Sequence, residues 1–192
     1  MVSAPAVISV SATSAVPPVG QSMLFDSATP AMIVNNKLSR SYTKEVWIKL
    51  PAAQTNQDYQ NIISGGDNGQ HAFFVKGGKV GAGHNGKWDY VTCDSLVSQD
   101  WEHYAVTYDA DKQEMKLYKN GKLVSSAQQV PPYQGGNFVQ IGRWSTATNI
   151  FIGEMAEVRI WNSARTEEQI AAQMNVSVPK ATAGLIAKYP VA

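Results

Sequence analysis

The stretch Trp101-Glu-His-Tyr-Ala-Val-Thr-Tyr-Asp109, followed by Met115-Lys-Leu-Tyr-Lys-Asn-Gly-Lys-Leu-Val124, decides the fold class. The first run alternates with the period of a strand buried on one side. The second is a pair of alternating halves about Asn120-Gly121. Asn-Gly takes up the positive φ angles of a two-residue type I′ turn, whose twist matches that of paired strands. Residues 115–124 therefore read as a β-hairpin.

Outward from it, strand signals dominate. Ser22–Asp26 and Met32–Val34 are short strands about a turn at Pro30. Tyr42–Leu50 alternates, with Glu45, Trp47 and Lys49 on one side and Val46, Ile48 and Leu50 on the other. Asn61–Ser64 ends at Gly65-Gly66, and Ala72–Val75 at Gly77-Gly78. Lys79–Gly83 and Trp88–Thr92 flank the loop His84-Asn-Gly-Lys87. Phe138–Ile141, Ile150–Trp161 and Gly184–Pro190 close the series. Residues 1–20, rich in Ser, Ala, Val and Pro, read as an edge strand plus linker. One helix interrupts, over 165–174, with Thr166 as N-cap, Glu167 and Glu168 in the first turn, and Ile170 and Met174 as its buried stripe. Short runs separated by Gly and Asn turns give an all-β, antiparallel two-sheet sandwich with one short helix near the C-terminus.

Composition narrows the function. The chain has 192 residues, enough for one sandwich, so 1–192 reads as a single domain. Net charge is +1 and charged residues are 16%. Such a balance exerts no pull on nucleic acid or acidic membranes. No window approaches the roughly 20 apolar residues of a membrane span. The N-terminus lacks the basic and apolar regions of a signal peptide. The expectation is a soluble protein, cytoplasmic or exported without a standard signal. Cys93, the one cysteine, excludes an intramolecular disulfide and reads as a buried strand residue.

The Trp-x-His-x-Ala-Val-Thr-Tyr strand, the Leu-Tyr-x-Asn-Gly-Lys-Leu hairpin, the strand Gly153-Glu-Met-Ala-Glu-Val-Arg-Ile-Trp161 and the helix after it occur in the order found in the laminin-G-like family. The chain resembles that family over residues 22–190. The resemblance implies the concanavalin A-like jelly roll of lectins and pentraxins, and a binding function.

Motifs for catalysis are sparse. No Gly-x-Ser-x-Gly elbow or phosphate loop occurs, and His71, His84 and His103 lack metal-ligand spacing. His103 reads as a packed strand histidine. A glycoside hydrolase needs two carboxylates about 5–10 Å apart. Glu154 and Glu157 are the candidates, but three residues apart on a regular strand they point to opposite faces. Glu157 and Arg159 share a face and read as an ion pair. The Glu-x-Asp-x-Glu pattern of sandwich hydrolases is missing, with Ala156 where relatives carry Asp.

Binding is expected in loops that the family's topology gathers at the concave face. Gly65-Gly-Asp-Asn-Gly-Gln70 resembles the pentraxin segment whose Asp-Asn pair coordinates calcium, which makes Asp67 and Asn68 candidate ligands for Ca²⁺ and for sugar. Within it, Gly66-Asp-Asn-Gly69 is also plain turn chemistry. The second pentraxin acidic loop corresponds to Arg143–Asn149, which contains no acid. A pyranose needs a flat apolar surface for its C–H face and polar groups for its hydroxyls. Trp88 and Trp144 are the candidate platforms. Asn68, His84, Asn85, Asp89, Arg143 and Asn149 are the candidate hydrogen-bonding groups. The competing reading of each Trp is a cap on the sandwich rim. The expected function is a lectin-like, non-catalytic glycan-binding protein that self-associates into a homo-oligomer. The alternatives are an adhesion module binding protein, or a hydrolase on the same fold.

Overall fold

The computed structural model describes residues 17, 21–28, 32–34, 38–51, 58–65, 70–136, 138–144 and 148–189. Among them the chain forms β1 (Met23–Phe25), β2 (Met32–Val34), β3 (Tyr42–Lys49), β4 (Gln60–Asn61), β5 (Ile63–Ser64), β6 (His71–Lys76) and β7 (Lys79–His84). Then come β8 (Lys87–Thr92), β9 (Glu102–Asp109), β10 (Glu114–Lys119), β11 (Lys122–Ala127), β12 (Val139–Ile141), β13 (Gly153–Trp161), α1 (Glu167–Gln173) and β14 (Leu185–Tyr189). The expected edge strand before residue 20 and the Pro30 turn lie outside the described residues.

The large sheet runs β1-β13-β3-β9-β10-β11, with β14 also paired to β13. The opposing layer has two pieces, β2-β12-β5 and β4-β6-β7-β8. Ile62 N donates to Phe73 O at 2.8 Å and Gly65 N to His71 O at 2.7 Å, which joins the pieces. The pairings are antiparallel, and the result is the two-layer sandwich that the sequence predicts. No described helix is long and apolar enough to cross a membrane.

Alternation builds the core. Tyr42, Val46 and Ile48 of β3 turn inward with Tyr104, Val106 and Tyr108 of β9, and Met115 and Leu117 of β10. Phe73, Val75, Val80, Ala82 and Val91 meet them from the other layer, and Cys93 is buried with them. The β10–β11 turn is as read, with φ of 48° at Asn120 and 75° at Gly121. Asn120 also accepts from His103 N through Oδ1 at 2.8 Å, which locks the hairpin to β9.

The outer face of the large sheet is buried too. Ile170 of α1 packs on Ala105 and Tyr118. Met174, expected beside it in the stripe, is only half-buried. It is the C-cap, and its carbonyl accepts from Trp47 Nε1 at 2.9 Å. Under this cover lies a buried charge network. Glu45 accepts from Trp161 Nε1 at 2.6 Å and faces His103 Nε2 at 3.3 Å and Arg159 at 3.8 Å. Burial alone would raise the Glu45 pKa, but hydrogen bonding and charge from His103, the charge of Arg159 and the Trp161 N–H together hold it below the usual range. Arg159 also donates to Gln173 O and Val176 O, so the segment after the helix closes the network.

Glu157 corrects one strand argument. It has φ 49°, and the β13–β3 register shifts between Ala156 and Arg159. This bulge leaves Met155, Val158 and Ile160 all in the core, so Glu154 and Glu157 share the outer face although three residues apart. The expected ion pair forms, with Glu157 Oε2 accepting from Arg159 Nη2 at 2.6 Å, both groups 1% exposed.

Inside the sandwich the sequence reading missed Lys44. It is fully buried on the core side of β3, with Nζ 2.9 Å from His71 Nδ1. Burial pushes its pKa well down. Burial and the nearby Lys44 do the same to His71, and burial lowers His84 to about 4. All these groups refuse protons that the unfolded chain accepts, below about 10.4 for lysine and about 6.5 for histidine. Stability should therefore be greatest in mild alkali and fall as pH drops, steepening from about 6.5 toward 4 as His84 and His71 bring in their share. Urea midpoints at pH 5, 7 and 9 test this, and in Lys44→Met the rise between pH 7 and 9 should vanish.

Candidate functional site

No described helix lies on the outer face of the four-stranded piece. Phe74, Ala72 and Asn61 sit there, next to residues too small to fill it. A Cβ on Gly81 would come within 2.8 Å of the Phe74 ring. Gly83, paired with Ala72, lies so close to β8 that a Cβ would strike the backbone of Lys87 and Trp88. Here the β7–β8 register jumps, from Ala82 opposite Val91 to His84 opposite Lys87. The bulge carries Trp88 over the glycine.

Trp144 meets it from the loop after β12. Trp144 N donates to Thr148 O and Thr148 Oγ1 to Trp144 O, both at 3.1 Å, so the loop closes on itself. Asn149, at φ 53°, is held by Asn61 N donating to its carbonyl at 2.9 Å. The Trp88 and Trp144 rings come together edge to face, centroids 5.2 Å apart at 68°. Tyr59 stands at 4.8 Å from Phe74, with Lys76 Nζ 4.2 Å over its ring.

These residues enclose a cleft of about 240 Å³, lined by Tyr59, Asn61, Ala72, Trp88, Trp144 and Asn149. Both Trp side chains and Asn149 are partly exposed, whereas Asn61 is 2% exposed. Asn61 Oδ1 has no hydrogen-bond partner among the described residues. Among the described residues the lining holds no carboxylate, ammonium, guanidinium or imidazole. The described surface can stack on a flat apolar face and exchange hydrogen bonds with hydroxyls.

Of the residues expected from sequence, Trp88, Trp144 and Asn149 meet in this cleft. His84 does not join them. Its ring turns into the sandwich, where Nε2 donates to Pro131 O at 2.8 Å and Nδ1 accepts from Tyr42 Oη at 3.1 Å. Asn85 donates to Pro132 O and accepts from Gln134 N, fixing the turn to the 131–136 loop. Asp89 is exposed on β8 and outside the lining, and Arg143 is buried beside Trp144 with its carbonyl accepting from Ser64 Oγ at 2.9 Å. Asp67 and Asn68 lie outside the described residues. Tyr59, Asn61 and Ala72 were missed as lining residues, because Asn61 and Ala72 read only as strand starts and binding was expected only in loops. The available signal was the i, i+2 spacing of Tyr59 and Asn61, which puts an aromatic and an amide on one face.

Hard Ca²⁺ wants six to eight oxygens, carboxylates among them, and residues 143–149, the counterpart of the second pentraxin loop, contain no carboxylate. No group of three or more His, Cys, Asp or Glu gathers among the described residues. The cleft beside α1 is charged, but its acids are engaged, Asp109 with Lys112 at 3.0 Å and Glu114 with Lys116 at 2.7 Å.

Two stabilities separate cleft from core. Trp47, fully buried under α1, should cost about 3–5 kcal/mol on Trp47→Ala, and half-exposed Trp144 far less on Trp144→Ala. Urea unfolding of both variants measures the difference. Gly83→Ala should move Trp88 away from Trp144, seen as a change in near-ultraviolet circular dichroism with a lowered melting temperature.

A family model described as the concanavalin A-like lectin/glucanases superfamily matches residues 26–171. A search of curated proteins found no match. Among solved structures, a Bacteroides ovatus protein described as a carbohydrate-binding candidate shares 23% identity, with TM-score 0.67 over 83% of this chain and 48% of its own. The present chain thus spans about half of that protein's length. A heptameric SAP-like pentraxin from Limulus polyphemus shares 18% identity, with TM-score 0.63 over 78% of this chain and 79% of its own. A Ruminococcus gnavus sialidase module, CBM40, bound to α2,3-sialyllactose, shares 14% identity, with TM-score 0.62 over 80% of this chain and 98% of its own. At these identities the likeness is one of fold.

Proposed function

The chain belongs to the concanavalin A-like lectin/glucanases superfamily, and from that premise we propose that it is a lectin-type protein that binds glycans without cleaving them. The carrying observation is the half-buried Trp88–Trp144 pair beside a buried amide oxygen without a partner. A Trp face matches the C–H face of a pyranose, and the two rings at 68° present surfaces in two directions. Asn61 and Asn149 supply polar contacts to ring hydroxyls. Asp67 and Asn68, in the β5–β6 connection, are assigned a share of hydroxyl recognition on the strength of their sequence alone. The family's own description, the Bacteroides protein and the sialyllactose-bound module support carbohydrate as the ligand class.

The glucanase branch of the family requires two carboxylates on either side of one bond. Glu157 is committed to Arg159 and Lys188, and Glu154 to Ser22 and Lys49. Neither lines the cleft. This arrangement supports binding over hydrolysis. One cleft of this size gives modest affinity, and self-association would multiply it by avidity.

Titration calorimetry with a glycan selected on an array tests the reading. Trp88→Ala and Trp144→Ala should each weaken binding by about 1–3 kcal/mol without unfolding the protein. Chelation of calcium should leave the affinity unchanged. Reducing ends released from the bound oligosaccharide, and lost in Glu154→Gln, would overturn it.

A further inference from the structure

Resting on the proposed glycan site, we infer that its ligand is an uncharged pyranose that donates a hydroxyl or amide hydrogen to Asn61, and that acidic sugars are excluded. The positive argument is the Asn61 oxygen. It belongs to a side chain that is 2% exposed, lines the cleft and has no partner for Oδ1 among the described residues. A buried acceptor without a donor is unfavourable by the whole desolvation penalty of the group, so the site favours a ligand that brings an O–H or N–H. A carboxylate or sulfate set against that oxygen brings only acceptors, so the acidic group itself has no place beside Asn61.

Counter-charge points the same way. A sugar acid entering a half-enclosed cleft must give up water, and it needs a cation or several N–H groups in return. None of the six lining residues carries a positive charge. Of the cations nearby in sequence, Lys87 Nζ lies 4.6 Å over the Tyr90 ring, and Arg143 is buried at 9% exposure and is not among the lining residues. Lys76 is the neighbour that could serve an acid, and it sits over the Tyr59 ring. Size adds a limit. The cleft, at about 240 Å³, is smaller than the roughly 300–1,000 Å³ of drug-sized sites, which suits one ring of a chain and not a branched epitope. The fold neighbour that holds sialyllactose would then differ from this chain in ligand charge although alike in architecture.

The experiment is an array of paired glycans, neutral and with the same terminus sialylated, sulfated or replaced by a uronic acid, read with the full chain. Neutral members should bind, and the acidic counterpart should bind more than about tenfold more weakly, because the unpaired acceptor and the missing cation both act against it. Raising NaCl from about 0.05 M to about 0.5 M should change neutral binding less than about twofold, since no ion pair is screened. Asn61→Ala should lose about tenfold in affinity with the melting temperature kept, and Lys76→Gln should stay within about twofold of the unaltered chain. Binding confined to acidic glycans, weakened by salt and by Lys76→Gln, would overturn the inference while leaving glycan binding intact. No binding to any member would overturn the glycan reading and this inference with it.

Discussion

The Glu45 carboxylate, taken out of water on the outer face of the large sheet, is the constraint around which the molecule is arranged. A buried carboxylate is tolerable only when surrounded by donors and positive charge. Trp161, His103 and Arg159 provide them from three different strand positions, and they are buried only because α1 and the segment after it lie on top. The network therefore demands the cover, and the cover is positioned by the network through Trp47 Nε1 and Arg159. One outer face of the sandwich is consumed in this way. The other outer face is that of the four-stranded piece, where no described helix or strand is laid across Ala72 and Phe74.

What makes that free face a cleft is the spacing of small residues. Gly83 lets the β8 backbone approach so closely that the strand must bulge, and the bulge lifts Trp88 to where Trp144 arrives from the loop after β12. The loop is short-circuited by the Trp144–Thr148 bridge and pinned to β4 through Asn149. Both aromatics are thus set by backbone hydrogen bonds around them and by the edge-to-face contact of their own rings. A platform held in this way can leave its faces bare and still keep its orientation, which lowers the ordering penalty on binding.

Much of the fold was legible in the sequence because its cues are local. The Asn120-Gly121 turn, the alternation of β3 and β9, and the Thr166 cap each depend on a few adjacent residues. The site was legible in part. Trp144 and Asn149 stand on a loop and Trp88 at the start of β8 beside a turn, positions where a large aromatic drew attention. Tyr59, Asn61 and Ala72 were not, since their role comes from β4 and β6 lying side by side across the loop between them. His84 was misread for a related reason. It closes a turn in sequence, yet the bulged β7–β8 pair and the 131–136 loop bring a carbonyl and a phenol to its ring inside the core. Lys44 and Glu157 defeated sequence reading through long-range partners and a bulge. Neither a buried amine with an imidazole beside it nor a positive φ at a glutamate is written in a neighbouring residue.

The contrast between the two interior polar groups explains why the cleft can be selective. Lys44 and Glu45 are adjacent in sequence, point to opposite faces and are each engaged by charged or polar partners within the fold, Lys44 with His71 and Glu45 with Trp161, His103 and Arg159. Their energetics are settled once the chain folds, so they constrain shape and leave nothing for a ligand. Asn61 differs, since its side-chain oxygen stays unpaired at the edge of a space that a small molecule can enter. The free protein bears that penalty, and a ligand with a donor in the right place removes it. A ligand without one does not, and the whole penalty appears as discrimination between them. An apolar cleft alone would rank ligands by area and tell similar sugars apart poorly. One acceptor without a partner among the described residues, in a cleft that two tryptophans also line, adds a requirement on where a donor must stand.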